Sequence, residues 1–227
     1  PTDFRCLVPR LLVKEGDSVL AGTPVFADKM CPDILFTSPV SGVVAEVVRG
    51  AKRKLLEIRI KSDKKQEYVD FGVKKVEDLA REEIKAALLQ SGLWACLVQR
   101  PYGIVANPEI KPKAIFTSAF TTAPLAADID FVCKGEFANI QTAVNALAKL
   151  TDGGVHVSFS ADNCCSSPLS RLENIVTHVF DADKHPAGNL GVQIHHISPI
   201  RKGETVWTIS PVALAAIGKL IKTGKLD

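Results

Sequence analysis

The chain has 227 residues, 46% hydrophobic and 6% aromatic, with 28 Lys and Arg against 25 Asp and Glu for a formal net charge of +3. That length and apolar content supply a core for one large domain or two ordinary ones. So mild a basic excess, with so few aromatics, argues against a nucleic-acid partner. The cysteines, Cys6, Cys31, Cys96, Cys133, Cys164 and Cys165, are scattered and form no CxxC. Neither a zinc nor an iron–sulfur framework is therefore expected. A disulfide scaffold is also unexpected at this size, which points to a reducing compartment and to two free thiols at Cys164-Cys165. No run of about 18 apolar residues occurs, so no membrane-spanning helix is predicted. No signal peptide is visible. The chain opens at Pro1 rather than at a methionine, and it is expected to be a piece of a longer protein.

Residues 5–61 alternate short apolar runs with turn residues. Leu11-Leu12-Val13 meets Lys14-Glu15-Gly16-Asp17, Val19-Leu20 meets Ala21-Gly22-Thr23-Pro24, and Val25-Phe26 follows. Ser38-Pro39-Val40-Ser41-Gly42 precedes the run from Val43 to Val48, and Leu56 to Ile60 alternates cleanly. Such close turn spacing predicts a small all-β unit over residues 1–62. A polar, lysine-rich stretch over 62–75 reads as a turn or linker. A helix is predicted over 77–90, with Glu77 and Asp78 favouring its start, an apolar face of Leu79, Ile84, Ala87 and Leu88, and a stop at Ser91-Gly92.

The remainder alternates strand and helix. Strands are predicted over 113–120, 155–160 and 175–180, and helices over 136–150 and 211–221, the last with Pro211 at its start. Strand–helix–strand order implies a parallel sheet with right-handed crossovers. The predicted fold class is α/β, with a Rossmann-like domain over 63–227 behind the β unit. The phosphate loop of nucleotide-binding sheets is missing, because neither GxGxxG nor GxxxxGK[ST] occurs. Asp152-Gly153-Gly154 follows a helix and reads as its cap.

The site candidates lie in His185 to Ile200, HPAGNLGVQIHHISPI. Pro186 fixes the turn after His185. Gly188 and Gly191 permit backbone conformations that a side chain would block, or close approach of a partner. Val192, Ile194 and His196 alternate with Gln193 and His195 as on a strand, which would point His195 and His196 to opposite faces. Two readings stay open: contact with a ligand or another subunit, or a tight turn with satisfied histidines. No carboxylate cluster completes a metal site, and none is predicted. His156 and His178 read as ordinary sheet or core-edge histidines, Trp94 and Trp207 as packing residues.

The order KEGDSVLAGTPVFADKM…FTSPVSGVVAEV resembles the biotinyl/lipoyl-like barrel-sandwich hybrid domain, in which a modified lysine sits on a protruding hairpin. Lys29-Met30 falls at about that place. The residue before it is Asp28, where carriers prefer methionine or an apolar residue, so Lys29 is expected to be unmodified. With EDLAREEIKAALLQSGLW, AIFTSAFTTAPLAADIDFVCKGE and the HPAG segment, the whole chain resembles the A subunits of the sodium-translocating NADH:quinone oxidoreductases of bacteria. The C subunit of the Rnf complex and the flavin-carrying subunit of respiratory complex I are similar in architecture.

Those relatives carry a glycine-rich flavin loop after the corresponding helix. Here that place reads Ser91-Gly92-Leu93-Trp94-Ala95-Cys96, and Leu93 and Trp94 fill space that a flavin phosphate needs. The resemblance therefore implies a subunit with no flavin or iron–sulfur cofactor of its own. It implies a peripheral subunit on the cytoplasmic face of the bacterial inner membrane, partnered by the other subunits, membrane ones included. It would take part in quinone binding or in assembly, and be inactive in isolation. Family members are longer, so the chain looks trimmed at both ends. For quinone or subunit contact the candidates are His185, Pro186, Gly188, Gly191 and His195, with His185 and His195 as hydrogen-bond donors. Two alternatives are a pure scaffold subunit derived from a degenerate flavoprotein, and a biotin or lipoyl carrier fused to an α/β domain.

Overall fold

The computed structural model describes residues 1–226. Its first unit consists of six strands, β1 (Pro9–Leu11), β2 (Ser18–Val19), β3 (Pro24–Asp28), β4 (Leu35–Thr37), β5 (Gly42–Arg49) and β6 (Leu55–Ser62). They pair antiparallel into two three-stranded sheets, ordered β1-β3-β4 and β2-β5-β6. Phe26 and Phe36 stack across the first sheet at 4.4 Å between centroids, and Phe4 meets Phe36 edge-on. β4 is three residues long, too short for any periodicity to reveal it. Lys29 and Met30 stand exposed in the connection between β3 and β4.

The second unit adds α1 (Arg81–Ser91), β7 (Val98–Arg100), β8 (Ile104–Val105), β9 (Ile115–Ser118), α2 (Ile129–Val132), α3 (Phe137–Ala148), β10 (Val155–Ser160), β11 (Ile175–Phe180), α4 (Leu190–Ile197), β12 (Val206–Thr208) and α5 (Pro211–Thr223). The six strands form one sheet, ordered β11-β10-β9-β12-β7-β8. β9, β10, β11 and β12 run parallel, and β7 and β8 close one edge antiparallel. The chain steps outward from β9 to β10 to β11, then returns to lay β12 on the other side of β9. The order therefore reverses between β9 and β12, the place where open α/β sheets leave a crevice beyond their strand ends. No helix among the described residues is long and apolar enough to cross a membrane.

The predicted helices form, with shifted ends. Residues 76–78 make a separate 3-10 turn, and α1 begins at Arg81, where the Glu83 carboxylate accepts from the Ala80 N–H at 2.8 Å. Gly92 ends α1 in the left-handed region, at φ +81. We propose a division into units 1–62 and 63–227, of which Asp227 lies outside the described residues. The segment between strand β6 and helix α1 is strapped to both units. Ala21 exchanges backbone hydrogen bonds with Glu67 and Val69, while the Phe71 and Lys74 N–H groups bond Gly224 and Ile221 at the end of α5. One apolar core runs through both units, joining Phe26 and Phe36 to Trp94, Leu97 and Trp207.

The sheet contains an arrangement that the sequence did not announce. His156 Nδ1 lies 2.9 Å from His178 Nε2 on the neighbouring strand, with the ring planes 3° apart and the rings meeting edge to edge. His156 Nε2 lies 3.0 Å from the Gly153 carbonyl. That carbonyl only accepts, so His156 carries its proton on Nε2, Nδ1 accepts, and His178 Nε2 donates. The chain of bonds needs a neutral His156, whose Nδ1 must accept. Burial pushes both imidazoles below their ordinary value; the Gly153 bond partly opposes this for His156, and the neighbouring His156 reinforces it for His178. An unfolded chain takes up protons as pH falls through about 6.5, before the folded pair does. The stability is therefore complete above that value and is lost as pH falls through the lowered folded values. The melting temperature should drop between about pH 7.5 and about pH 5.5, and drop less in a His156→Gln/His178→Gln double variant. Parallel pH profiles for the two proteins would contradict the assignment.

Candidate functional site

The segment after Gly188 is a helix, not the strand predicted. Strand alternation picks out Val192, Ile194 and His196, but a helical stripe, Leu190, Ile194 and Ile197, runs through the same residues. The helical stripe prevails because it has a partner. Ile194 joins Ala114, Phe116 and Val206 in a small apolar cluster, with Leu190, Ile197 and Ile200 packed against it. His195 and His196 consequently do not point to opposite faces. Both lie in the last turn of α4, with ring centroids 5.5 Å apart. Among the described residues no hydrogen bond or ring contact joins His195 to His185.

The turn at 185–189 is held by the loop after β9. The Gly188 N–H donates to Thr122 Oγ1 at 3.0 Å, and that hydroxyl lies 3.1 Å from His185 Nδ1. His185 therefore spends Nδ1 within the chain and leaves Nε2 for solvent or a partner. Gly188 is a position of close approach, but to its own chain. A Cβ there would stand 2.2 Å from the Thr122 nitrogen. Gly191 differs: nothing lies within 4 Å of its Cβ position. Neither glycine takes a positive φ, contrary to the backbone freedom expected of them.

This contact ties the HPAG turn to the loop that follows β9. Two exposed apolar side chains follow Thr122 in this loop. Leu125 projects fully into solvent from the left-handed region, at φ +59. Phe131, on the short helix α2 capped by Asp128, is 76% exposed. An exposed leucine held in a strained conformation signals contact rather than core. Thr122 escaped the sequence reading because nothing marks a threonine that braces a distant turn. Gln193 escaped as well. It is fully buried and donates to Ser118 Oγ at 3.1 Å and to the Ala187 carbonyl at 3.0 Å, fixing α4 against the end of β9. A lone amide in the apolar run VQI was the available signal.

Between the ends of β9 and β12 lies a crevice of about 600 Å³. Gly188 and Gly191 border it, and His185 and His195 do not. A second groove, about 790 Å³ and walled by Phe4, Phe26, Phe36 and Leu93, runs between the two units. Among the described residues no cluster of three or more His, Cys, Asp and Glu side chains is placed to hold a metal ion.

The loop after α1 is turned inward. The Gly92, Ala95 and Leu97 N–H groups bond the carbonyls of Leu89, Gly92 and Trp94. A phosphate cradle needs such N–H groups free and convergent. The Gly92 Cβ position is 2.8 Å from Thr37 Oγ1, so the loop lies directly on β4. Trp94 is buried, donates to the Ala106 carbonyl at 2.7 Å and packs edge-on against Trp207.

Fold and site together define a two-unit protein: a barrel-sandwich front unit, and an α/β unit whose largely parallel sheet is joined to the front unit by the inward-turned loop after α1. Comparison with known families and proteins makes this specific. A family model described as the NqrA N-terminal barrel-sandwich hybrid domain matches residues 1–63, and one described as the NqrA second alpha/beta domain matches residues 79–226. The chain belongs to the NqrA family. It is similar to the A subunit of the Na(+)-translocating NADH-quinone reductase of Neisseria meningitidis serogroup A, at 38% identity over 99% of this chain and 50% of that protein. The corresponding proteins of Rhodopirellula baltica and Serratia proteamaculans are 38% and 37% identical, over the same shares of each chain. The chain spans about half the length of the curated relatives it matches.

Gly188→Ala should lower unfolding stability by about 1–3 kcal/mol, since a methyl group must displace the backbone at Thr121-Thr122. His185→Ala loses one partly solvated bond and should cost under about 1 kcal/mol. Urea unfolding of both variants checks the order, and equal losses would contradict it.

Proposed function

We propose that the chain works as part of the NqrA component of a Na+-translocating NADH:quinone reductase, peripheral on the cytoplasmic face of a bacterial inner membrane. The observation that carries this reading is that two domain models of one family match the chain in order, with similarity to the A subunits of such reductases along 99% of it. In this reading the chain holds no flavin, because the Gly92, Ala95 and Leu97 N–H groups of the loop after α1 are spent internally, and no iron–sulfur group, because its cysteines are scattered. It also stays inactive alone and serves the complex by contact.

The contact surface is the joined loop 121–131 and turn 185–191. It offers Leu125, Phe131 and the outward Nε2 of His185, the last held in place by Thr122 and by the turn at Pro186. A contribution to quinone binding is the second reading. It is supported by the apolar groove between the units, since a quinone needs an apolar slot with few hydrogen-bond donors. His185, Gly188, Gly191 and His195 are not among the residues lining that groove. His185 and His195, both exposed, fit contact with a neighbouring protein better.

The test is made in the whole complex. Leu125→Asp and Phe131→Asp should leave the chain's own stability within about 0.5 kcal/mol, because both side chains are exposed. They should sharply reduce recovery of the other subunits with a tagged chain, and reduce NADH:quinone reductase activity in proportion. Full recovery and full activity in the double variant would remove this surface from the interface.

A further inference from the structure

We infer that the crevice at the switch point binds an organic anion, a molecule bearing a phosphate or carboxylate group on an apolar body. This inference does not depend on the function proposed above. The crevice lies where a parallel sheet reverses its strand order, and its volume of about 600 Å³ suits an ordinary small molecule.

Its charge is one-sided. Arg100, at the end of β7, is the one charged residue lining it among the described residues. No carboxylate there pairs with Arg100; the ion pairs involve Arg59, Lys85, Lys111 and Lys113 instead. The Arg100 Nε is buried and without a hydrogen-bond partner. Arg100 is half-buried, and its guanidinium, with no carboxylate beside it, offers a planar oxyanion a two-pronged charge-assisted contact.

The walls fit the same ligand. α4 and α5 both begin at the crevice, and helix starts favour negative charge. Phe120, Val192 and Ile209 supply apolar surface for the body of the molecule. Gly191 has no internal reason to be glycine. Its φ is ordinary and its Cβ position touches nothing, although glycine inside a helix is unfavourable relative to alanine. Its missing side chain leaves room for a molecule from outside.

The test uses the 227-residue chain with phenyl phosphate, benzoate and neutral benzyl alcohol as probes, followed by ligand-observed NMR and thermal shift. The two anions should bind saturably and the alcohol should not. Arg100→Gln should weaken anion binding about tenfold or more, the worth of a charge-assisted hydrogen bond. Gly191→Leu, which fills the crevice without touching Arg100, should weaken it likewise while leaving the melting temperature without probe unchanged or raised. That second variant decides the matter if Arg100→Gln does not fold. Anions that fail to bind the wild-type chain up to about ten millimolar would overturn the inference. So would wild-type affinity in the folded variants, or benzyl alcohol binding as tightly as phenyl phosphate.

Discussion

The contact on which this structure depends is the edge-to-face pair of Trp94 and Trp207, with ring centroids 5.3 Å apart and planes at 79°. Trp94 belongs to the loop after α1, Trp207 to the strand inserted beside β9. Both are buried, and such a pair adds about 0.5–1.5 kcal/mol to the burial of two large side chains. Its position matters more than its energy. It fastens the loop to the sheet, and the loop in turn rests on β4 through Gly92 and Thr37. The front unit, the loop and the sheet thus share one core. A loop so fastened has few N–H groups to spare for a phosphate.

The second constraint is Thr122. One hydroxyl meets both His185 and the Gly188 N–H, and so joins a loop to a turn 66 residues further along the chain. Glycine at 188 is required by this close approach to its own chain. The exposed residues around the joint, Leu125 above all, are left with no packing role inside the chain. Structure and surface are therefore coupled. What fixes the turn also fixes the face that the turn presents.

The fold was largely legible where patterns are long. Helix α3 repeats its apolar stripe over three turns, and β10 is an almost wholly buried run of six residues that begins just after Gly153-Gly154. The short strands β4, β7 and β12 carry no such signal, and they are defined by the neighbours they pair with. The strand reading of 192–196 fails because five residues satisfy both periods, and only the packing of Ile194 with Phe116 decides between them. The site was legible as a place but not as a geometry. HPAG stood out in the sequence, yet its contact with Thr122 joins distant segments, and no local pattern encodes it. The hydrogen-bonded pair His156 and His178 was hidden for the same reason, since its members meet only across strands.

Trp94 is buried in the loop after α1, whose Gly92, Ala95 and Leu97 N–H groups are spent internally, and a loop closed in this way should reject a flavin. The most direct measurement is the visible absorbance spectrum of the chain after incubation with excess flavin mononucleotide and desalting. The expected result is a colourless protein with no flavin band. A flavin band at stoichiometric level that survives desalting would contradict it.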